Sequence, residues 1–475
     1  MITFTAGIIC LIIGFVFYGK KIENNFCPDD RETPAFEIND GVDYTPMPTW
    51  KVFLIQLLNI AGTGPIFGAL SGALFGPVVY LWIVFGCIFA GAVHDYMMGM
   101  MSVRHNGASV SEITGIYLGN TMLNVMRIFS VILLIMCGVV FTKGPADLLA
   151  ILTPGRFNSA FWFRIVLAYY FVATFLPIDK VIGRLYPLFG ILLVVMACGV
   201  AFSLMFSGKF TMPELWNNFG NMHAQNTPIW PFMFITVACG AISGFHATQS
   251  PMMARCIKSE KYGRTVFYGA MIAEGIIALI WAAAGVTCYK SSQALLEAGS
   301  GCSAVVYAIC NTTMGKTGCI LGLLGVIVCP LSSGDTAFRS ARLTISDWLG
   351  LDQTSVKNRL VLTTVLLAAG FAISRFDYTV IWRYFSWSNQ TLAMIALWAA
   401  SVYLVNNKKN HLFTSVPATF MTAVSVTYFL AAPECMGMLW NALEICHATY
   451  YLISIAAGIT AAVFAVFQFR KTGKP

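Results

Sequence analysis

Two glycine-rich sequences interrupt long apolar stretches of this chain, and each could bring exposed backbone against a ligand. Residues 62–65 read Gly-Thr-Gly-Pro and lie ten residues inside the apolar stretch 51–74. Residues 239–244 read Cys-Gly-Ala-Ile-Ser-Gly and lie nine residues inside a second stretch that begins near Pro231. Glycine and proline weaken the helical hydrogen-bond ladder, and hydrocarbon offers no water to replace it. Such breaks are tolerated where the freed backbone lines a cavity or meets a ligand.

The chemistry that these breaks favour is the binding of a carboxylate. Freed N–H groups and the N-termini of half-helices carry partial positive charge. His246 follows the second break, where it could donate to a carboxylate or take part in proton movement; a packed, hydrogen-bonded histidine is the alternative. We therefore expect substrate contacts at six residues: Gly62, Thr63, Gly64, Ser243, Gly244 and His246.

Glu274 is the residue best placed to take up and release a proton. It lies ten residues into an apolar stretch that starts near Arg264, and so near the middle of a membrane. Acidic residues inside membranes are costly and usually functional, and an apolar setting favours the neutral, protonated carboxyl. The alternative is a structural hydrogen bond to a neighbouring helix.

Two further acidic residues lie near the ends of apolar stretches and are candidates for ion coupling. Asp95 follows His94 directly. Asp335 lies four residues before Arg339, so the two share one face of a helix and can form an ion pair. For Asp335 such an ion pair, at a gate or as a topology signal, is favoured over a proton site.

Asn389 and Gln390 place two amide side chains inside the apolar stretch 381–405. Amides in hydrocarbon must face protein or water. Because they lie close to Trp382 and Trp387, we interpret them as substrate-binding residues of an outer vestibule or gate. Anchoring at the membrane interface explains the tryptophans equally well.

The composition defines the setting in which these residues act. Hydrophobic residues make up 57% of the 475 residues and charged residues only 11%, against about 25% charged in soluble proteins. The chain is therefore predicted to be an all-α polytopic membrane protein. Its net charge of +8 does not indicate nucleic-acid binding, because the basic residues are spread over loops. The N-terminal stretch 2–18 has no basic region before it and is predicted to be a retained span, with a signal peptide as the alternative.

Apolar windows of about 17–25 residues predict about thirteen membrane spans. They cover 1–19, 52–74, 76–101, 122–142, 160–177, 185–207, 231–254, 264–287, 317–337, 358–374, 381–405, 412–432 and 448–469. With the N-terminus outside and the C-terminus inside, the inner segments hold 21 of the 29 lysines and arginines and the outer segments hold 8. This distribution follows the positive-inside rule.

The order of these spans predicts an inverted repeat. Five spans (52–207) precede five more (231–405), and each set opens with its broken helix. The first set begins inside and the second outside, so the second is inverted. This is the five-plus-five pattern of LeuT-like transporters, which place their binding site at two broken helices. Residues 1–51 add an N-terminal span and a cytoplasmic loop, and residues 406–475 add two spans. Two unrelated glycine-rich packing helices are the alternative.

The same arrangement suggests a sodium site. The span 317–337 would be the eighth of the ten, and its inner half would approach the first broken helix. Ser332 and Ser333, with freed carbonyls near Ala61 and Gly64, could there offer oxygen ligands to Na⁺. A vestigial or proton-coupled version of this site is the alternative.

Most of the fourteen cysteines lie in apolar spans, where cysteine acts as a small hydrophobic residue. Five lie in or near predicted outer loops, where a disulfide of unspecified pairing could form: Cys288, Cys302, Cys310, Cys435 and Cys446. The sequence contains no CxxC motif, phosphate loop or nucleophile elbow. Neither an enzyme nor a cofactor is therefore expected.

Six polar and glycine-rich motifs together resemble one known family. They are residues 40–44 (Asp-Gly-Val-Asp-Tyr), 61–66 (Ala-Gly-Thr-Gly-Pro-Ile), 90–95 (Ala-Gly-Ala-Val-His-Asp), 238–246 (Ala-Cys-Gly-Ala-Ile-Ser-Gly-Phe-His), 332–339 (Ser-Ser-Gly-Asp-Thr-Ala-Phe-Arg) and 387–393 (Trp-Ser-Asn-Gln-Thr-Leu-Ala). In these motifs the chain resembles a short form of the carbon starvation protein A (CstA) family, over about residues 1 to 405.

The resemblance implies a multi-pass carrier of the bacterial inner membrane, used in nutrient uptake under carbon limitation. It further implies peptides or pyruvate as substrates and protons as the coupling ion. Our leading hypothesis is thus a secondary active, proton-coupled importer of small carboxylated nutrients that works by alternating access. The alternatives are a sodium-coupled amino-acid carrier on the same fold and a starvation-linked membrane sensor without net transport. The sequence does not specify an oligomeric state.

Overall fold

Apolar sequence forms helix throughout this chain, because a helix pairs its own backbone groups where no water is available. The computed structural model describes residues 1–41, 43–173, 178–299, 303–351 and 355–472, and no strand occurs among them. Within these ranges, ten helices are long and apolar enough to cross a membrane, or eleven if one bent pair is counted as a span. The chain is a multi-pass membrane protein.

The helices of eight or more residues are numbered in chain order. They are α1 Ile2–Phe26, α2 Thr49–Ala61, α3 Gly64–Phe75, α4 Val79–Arg104, α5 Val110–Leu118, α6 Asn120–Leu152, α7 Ser159–Ala173, α8 Ile178–Phe206, α9 Ile229–Thr236, α10 Gly244–Ala254, α11 Glu260–Cys288, α12 Ser303–Leu349, α13 Val356–Ile373, α14 Tyr378–Asn406, α15 Leu412–Ala431 and α16 His447–Thr472. Shorter helical segments lie at Pro34–Glu37, Leu215–Asn217, Ser292–Glu297 and Gly437–Ala442.

The thirteen expected spans are not confirmed, and three of them account for the difference. The span 52–74 is divided into α2 and α3, whose axes differ by 53°. The span 160–177 corresponds to α7, which has only 15 residues, and 174–177 lie outside the described part of the chain. The span 231–254 is divided into α9 and α10 by the non-helical residues 237–243. The LeuT-like inverted repeat and the domain bounds derived from it stay predictions.

Two smaller expectations are also revised. The first helix extends to Phe26 instead of ending near residue 19, so Lys20 and Lys21 lie on it. Four of the five cysteines considered for a disulfide have free thiols in the structure, and Cys302 lies outside the described residues. The four are Cys288, Cys310, Cys435 and Cys446.

Close packing brings the two broken helices together at the centre of the molecule. A Cβ atom added to Gly64, the first residue of α3, would overlap the side chain of Cys239. A Cβ on Gly91 would overlap the carbonyl oxygen of Ala241. Glycine at these two positions therefore lets the first break and helix α4 lie directly against the second break.

A buried ionic network joins the loops at one end of the bundle, which we call the basic end. The Arg104 guanidinium donates two hydrogen bonds of 2.9 Å to the Glu260 carboxylate, a third to the hydroxyl of Tyr403 and a fourth to the carbonyl of Cys27. The Glu260 side chain is fully buried and also accepts from the backbone N–H of Asp29. The network thereby ties the ends of α1, α4, α11 and α14 together.

We expect Glu260→Ala to destabilise the protein by about 3–5 kcal/mol, because it leaves a largely buried guanidinium without its carboxylate. Asp30→Ala is the matched control, since it removes an exposed pair with Lys261 and such pairs contribute little. Thermal unfolding in detergent, followed by tryptophan fluorescence, measures both variants. Similar losses in the two would contradict a structural role for the buried pair.

Candidate functional site

The first break depends on Gly62, whose position tolerates no other residue. Gly62 has φ +44°, and an added Cβ would lie 2.5 Å from the ring of Phe141. Thr63 beside it is fully buried, and its hydroxyl has no hydrogen-bond partner among the described residues. The break thus carries a buried hydroxyl whose hydrogen bond a ligand or a water molecule could complete.

The second break is capped by an amide from α14. The side-chain oxygen of Asn389, Oδ1, accepts from the Ser243 hydroxyl at 3.0 Å and from the backbone N–H of Phe245 at 2.6 Å. Gly244 allows this approach, because a Cβ there would lie 2.5 Å from the backbone oxygen of Asn389. Asn389 therefore occupies the position at the N-terminus of α10 where we expected a substrate carboxylate.

The two amides expected in a vestibule are buried instead. Asn389 and Gln390 are both 0% exposed, and Gln390 donates to the carbonyl of Phe234 on α9 at 3.3 Å. The sequence required these amides to face protein or water, and in the structure they face protein beside the second break.

Four titratable side chains form a continuous row beside the breaks, which we call the His–Asp–His–Glu row. Asp95 on α4 lies between two histidines: His94 Nδ1 is 2.8 Å from its Oδ1, and His246 Nδ1 is 2.8 Å from its Oδ2. The other ring nitrogen of His246, Nε2, lies 3.3 Å from Oε2 of Glu274 on α11. All four side chains are at most 1% exposed. The row links α4, α10 and α11.

The hydrogen-bonding chemistry of the row limits its protonation. An ionised carboxylate only accepts, so both Nδ1 atoms facing Asp95 carry hydrogen. His246 Nε2 and Glu274 Oε2 lie 3.3 Å apart, within ion-pair distance, although their orientation is not that of a hydrogen bond. The pair can hold one proton in two ways: as an imidazolium beside a carboxylate, or as a neutral ring beside a protonated carboxyl.

Sequence reasoning selected Asp95, His246 and Glu274 separately and left out their partner His94. The only local signal for it was an adjacent histidine and aspartate inside an apolar helix. It also left out Gln56 and Asn59 on α2, which are fully buried and whose side-chain amides have no described hydrogen-bond partner. Unsatisfied amides beside the first break extend the polar region available to a ligand.

The other predicted ion-coupling residues lie on α12, apart from the row. The Ser333 hydroxyl donates to the carbonyl of Leu58 at 2.9 Å, and Ser332 donates to Cys329 at 2.6 Å. Ser333 thus meets the first broken helix, but one turn before the expected carbonyls of Ala61 and Gly64. Asp335 lies 3.9 Å from Arg339, in the predicted i, i+4 geometry.

Cavities lie at both ends of the bundle. At the end opposite the basic end, a cavity of about 340 Å³ lies between α3, α9, α14 and the loop after α15. At the basic end, a cavity of about 30 Å³ lies between α10 and α12, and a pocket of about 640 Å³ lies in the loops around Asp29, Arg31 and Arg104. Of the two cavities that adjoin the broken helices, the one at the end opposite the basic end is the larger cavity.

Comparison with known sequences identifies the family of this chain. The sequence profile of "Carbon starvation protein CstA" matches residues 1–151, 150–300 and 287–428. The chain belongs to the carbon starvation protein CstA family. A Haemophilus influenzae protein described as an "uncharacterized membrane protein" is 44% identical over 355 residues, covering 64% of this chain and 95% of that protein.

Other CstA relatives carry functional names. The "peptide transporter CstA" of Escherichia coli is 24% identical over 85% of this chain and 76% of its own length. The "pyruvate/proton symporter BtsT" of the same organism is 26% identical over 58% of this chain, and the match spans only 47% of that relative. Among solved structures, an Eremococcus coleocola manganese transporter has a TM-score of 0.57 at 12% identity, covering 92% of this chain and 99% of that one. This likeness concerns the fold.

Proposed function

We propose that this CstA-family protein is a secondary active importer that carries small carboxylated nutrients, peptides or pyruvate, together with protons. The observation that carries the proposal is the His–Asp–His–Glu row, sealed in the core next to both helix breaks. Intramembrane acids and histidines in such rows are typical of proton pathways. The names of the relatives support the substrate class.

The row offers a physical reason for coupling. With one proton between His246 and Glu274, that pair is neutral overall, and Asp95 carries the row's remaining charge. Losing the proton adds a second negative charge in a setting of low dielectric constant. A substrate carboxylate at the breaks would then be repelled. Proton and anion are therefore expected to bind together.

Release of the proton follows from a separation of α10 and α11. In the observed packing, His246 of α10 lies within 3.3 Å of Glu274 of α11. A movement that separates the two side chains would expose each to water or to new partners, and the shared proton would lose one of its two bases. We expect this movement to accompany closure of the larger cavity and opening of the basic end, in an alternating-access cycle.

Uptake into proteoliposomes tests the proposal. Labelled pyruvate and a labelled dipeptide are offered under an inward proton gradient, an inward sodium gradient and no gradient. We expect accumulation of at least one substrate above equilibrium under the proton gradient alone. Accumulation under sodium alone would favour the sodium-coupled alternative. No accumulation of either substrate under either gradient would contradict the proposal.

A double variant tests the sodium-coupled alternative. Replacing Ser332 and Ser333 together by alanine removes both hydroxyls near the first break. If protons alone drive transport, sodium should have no effect on uptake by the wild type or by the double variant. A sodium-dependent rate in the wild type that disappears in the double variant would overturn the proton-only mechanism.

A further inference from the structure

The larger cavity contains one residue whose charge the proposed mechanism does not use. Arg383 on α14 lines this cavity, its side chain is 52% exposed, and its Nη1 lies 3.5 Å from Oε2 of Glu434. His223, also in the lining, is half-buried, and this burial lowers the pKa of its imidazole. Among the described lining residues, Arg383 therefore supplies the positive charge at neutral pH.

Glu434, the partner of Arg383, is held by two tyrosines, whereas Arg383 itself is half exposed. The Glu434 side chain is only 7% exposed, and it accepts a hydrogen bond from the Tyr428 hydroxyl. Tyr384 also donates to the backbone oxygen of Glu434. The single contact of Arg383 is long and solvent-accessible, and ion pairs of this kind are weak. A carboxylate entering the cavity can therefore compete with Glu434 for the guanidinium.

The cavity has the size and the polar groups of a binding site. Its volume of about 340 Å³ lies within the range of small-molecule sites. Ser386, one turn along α14 from Arg383, lines it at 2% exposure, and its hydroxyl has no described hydrogen-bond partner. The indole N–H of Trp382 in the same lining is also unpartnered among the described residues. Both polar atoms are buried in this conformation, so they can donate to a ligand held by the guanidinium only after a local side-chain movement.

The floor of the cavity lies against both broken helices. Thr236, the last residue of α9, and Trp382 line the cavity. A Cβ added to Gly68 of α3 would lie 3.2 Å from the backbone oxygen of Thr236 and 3.8 Å from the Trp382 ring. The cavity thus adjoins the two helices that carry the breaks, with the Trp382 side chain between its lining and α3.

We propose that this cavity is an access site for the substrate, in which Arg383 exchanges Glu434 for the carboxylate of pyruvate or of a short peptide before it passes Trp382. The site rests on the proposed function for its substrate class. It also assigns a role to the segment after α15: Glu434 neutralises Arg383 in the empty cavity and lowers its affinity for other anions.

Binding and transport kinetics of Arg383 and Glu434 variants test this site. Arg383→Gln is expected to raise KM for uptake, and Kd measured with labelled ligand on protein in nanodiscs, by about tenfold or more, because a charge-assisted contact is lost. The maximal rate should change little. Arg383→Lys should retain part of the affinity. Glu434→Gln, which keeps an acceptor for Tyr428, should lower KM.

Controls separate this proposal from the proposed function. Arg375→Gln removes an exposed charge just before α14 that does not line the cavity, and its KM should equal that of the wild type. A dipeptide with an amidated C-terminus should bind equally to wild type and Arg383→Gln. If the wild type binds pyruvate or dipeptide but accumulates neither, the proposed importer function is contradicted. The Kd values of the Arg383 and Glu434 variants then still test the access site.

Three results would overturn the access site. The first is an unchanged Kd in Arg383→Gln for every ligand that the wild type binds. The second is an increase in KM in Glu434→Gln equal to that in Arg383→Gln, which would indicate a merely structural pair. The third is the absence of any binding of pyruvate or dipeptide to the wild type.

Discussion

Glu274→Gln is expected to abolish proton-driven accumulation of substrate while sparing exchange of labelled for unlabelled substrate. Glutamine matches the shape of glutamate and can still hydrogen-bond to His246, but it neither binds nor releases a proton. The wild-type pair lies 3.3 Å apart in a fully buried setting, where one proton has two alternative bases. Removing one base leaves substrate binding intact and removes the link between substrate and the proton gradient.

The measurement compares two modes of transport in the same vesicles. In the first, an inward proton gradient drives uptake; in the second, substrate at equal pH exchanges across the membrane. The variant is expected to reach only simple equilibration in the first and near wild-type rates in the second. Glu23→Gln is the matched control, because Glu23 is a mostly buried glutamate that pairs with Lys20 and Arg264, away from the row. Normal accumulation by Glu274→Gln would remove this residue from the coupling mechanism.

Some features of this protein could be predicted because they depend only on the residues immediately around them in the sequence. The breaks at residues 62–65 and 239–244 could be predicted because glycine and proline act on the backbone at their own positions. The burial of Glu274 could be predicted because the sequence around it is apolar, and its role in proton coupling stays a prediction. Both predictions required no knowledge of the neighbouring helices.

The parts that could not be predicted depend on how helices face each other. Asp95 and His246 are 151 residues apart in sequence, and their contact is made only by the packing of α4 against α10. The sequence required Asn389 to face protein or water, but its role as the cap of α10 depends on the face of α14 that meets the break. The pairing of Arg383 with Glu434 likewise depends on which loops lie together at one end.

The count of thirteen spans is not confirmed for a related reason. Hydropathy windows measure apolar length and do not show where a broken segment turns. The stretches 52–74 and 231–254 were each counted as one broken span, whereas the structure divides each into two shorter helices. Fully buried polar residues such as Gln56 and Asn59 also lower the mean hydropathy of these segments. The hydropathy signal is thus weakest beside the candidate site.

Gly64→Ala is expected to reduce uptake by about tenfold or more and to destabilise the protein, since overpacking a core costs about 1–3 kcal/mol. The backbone of Gly64 does not require glycine, because its φ is not positive. The requirement is spatial: an added Cβ would overlap both Cβ and Sγ of Cys239. Gly220→Ala is the control, because its added Cβ would have no atom within 4 Å and its φ is not positive.

The contact between the breaks can be tested directly by removing the opposing side chain. Cys239→Gly eliminates both overlapping atoms, so the double variant with Gly64→Ala should recover uptake and thermal stability relative to Gly64→Ala alone. Cys239→Ala retains the overlapping Cβ and should recover much less. This double-mutant cycle measures coupling between two residues that touch, and it remains informative even where Gly64→Ala alone folds poorly. Failure of Cys239→Gly to recover either property would show that the two broken helices do not meet at this point, and the shared binding region would have to be placed elsewhere.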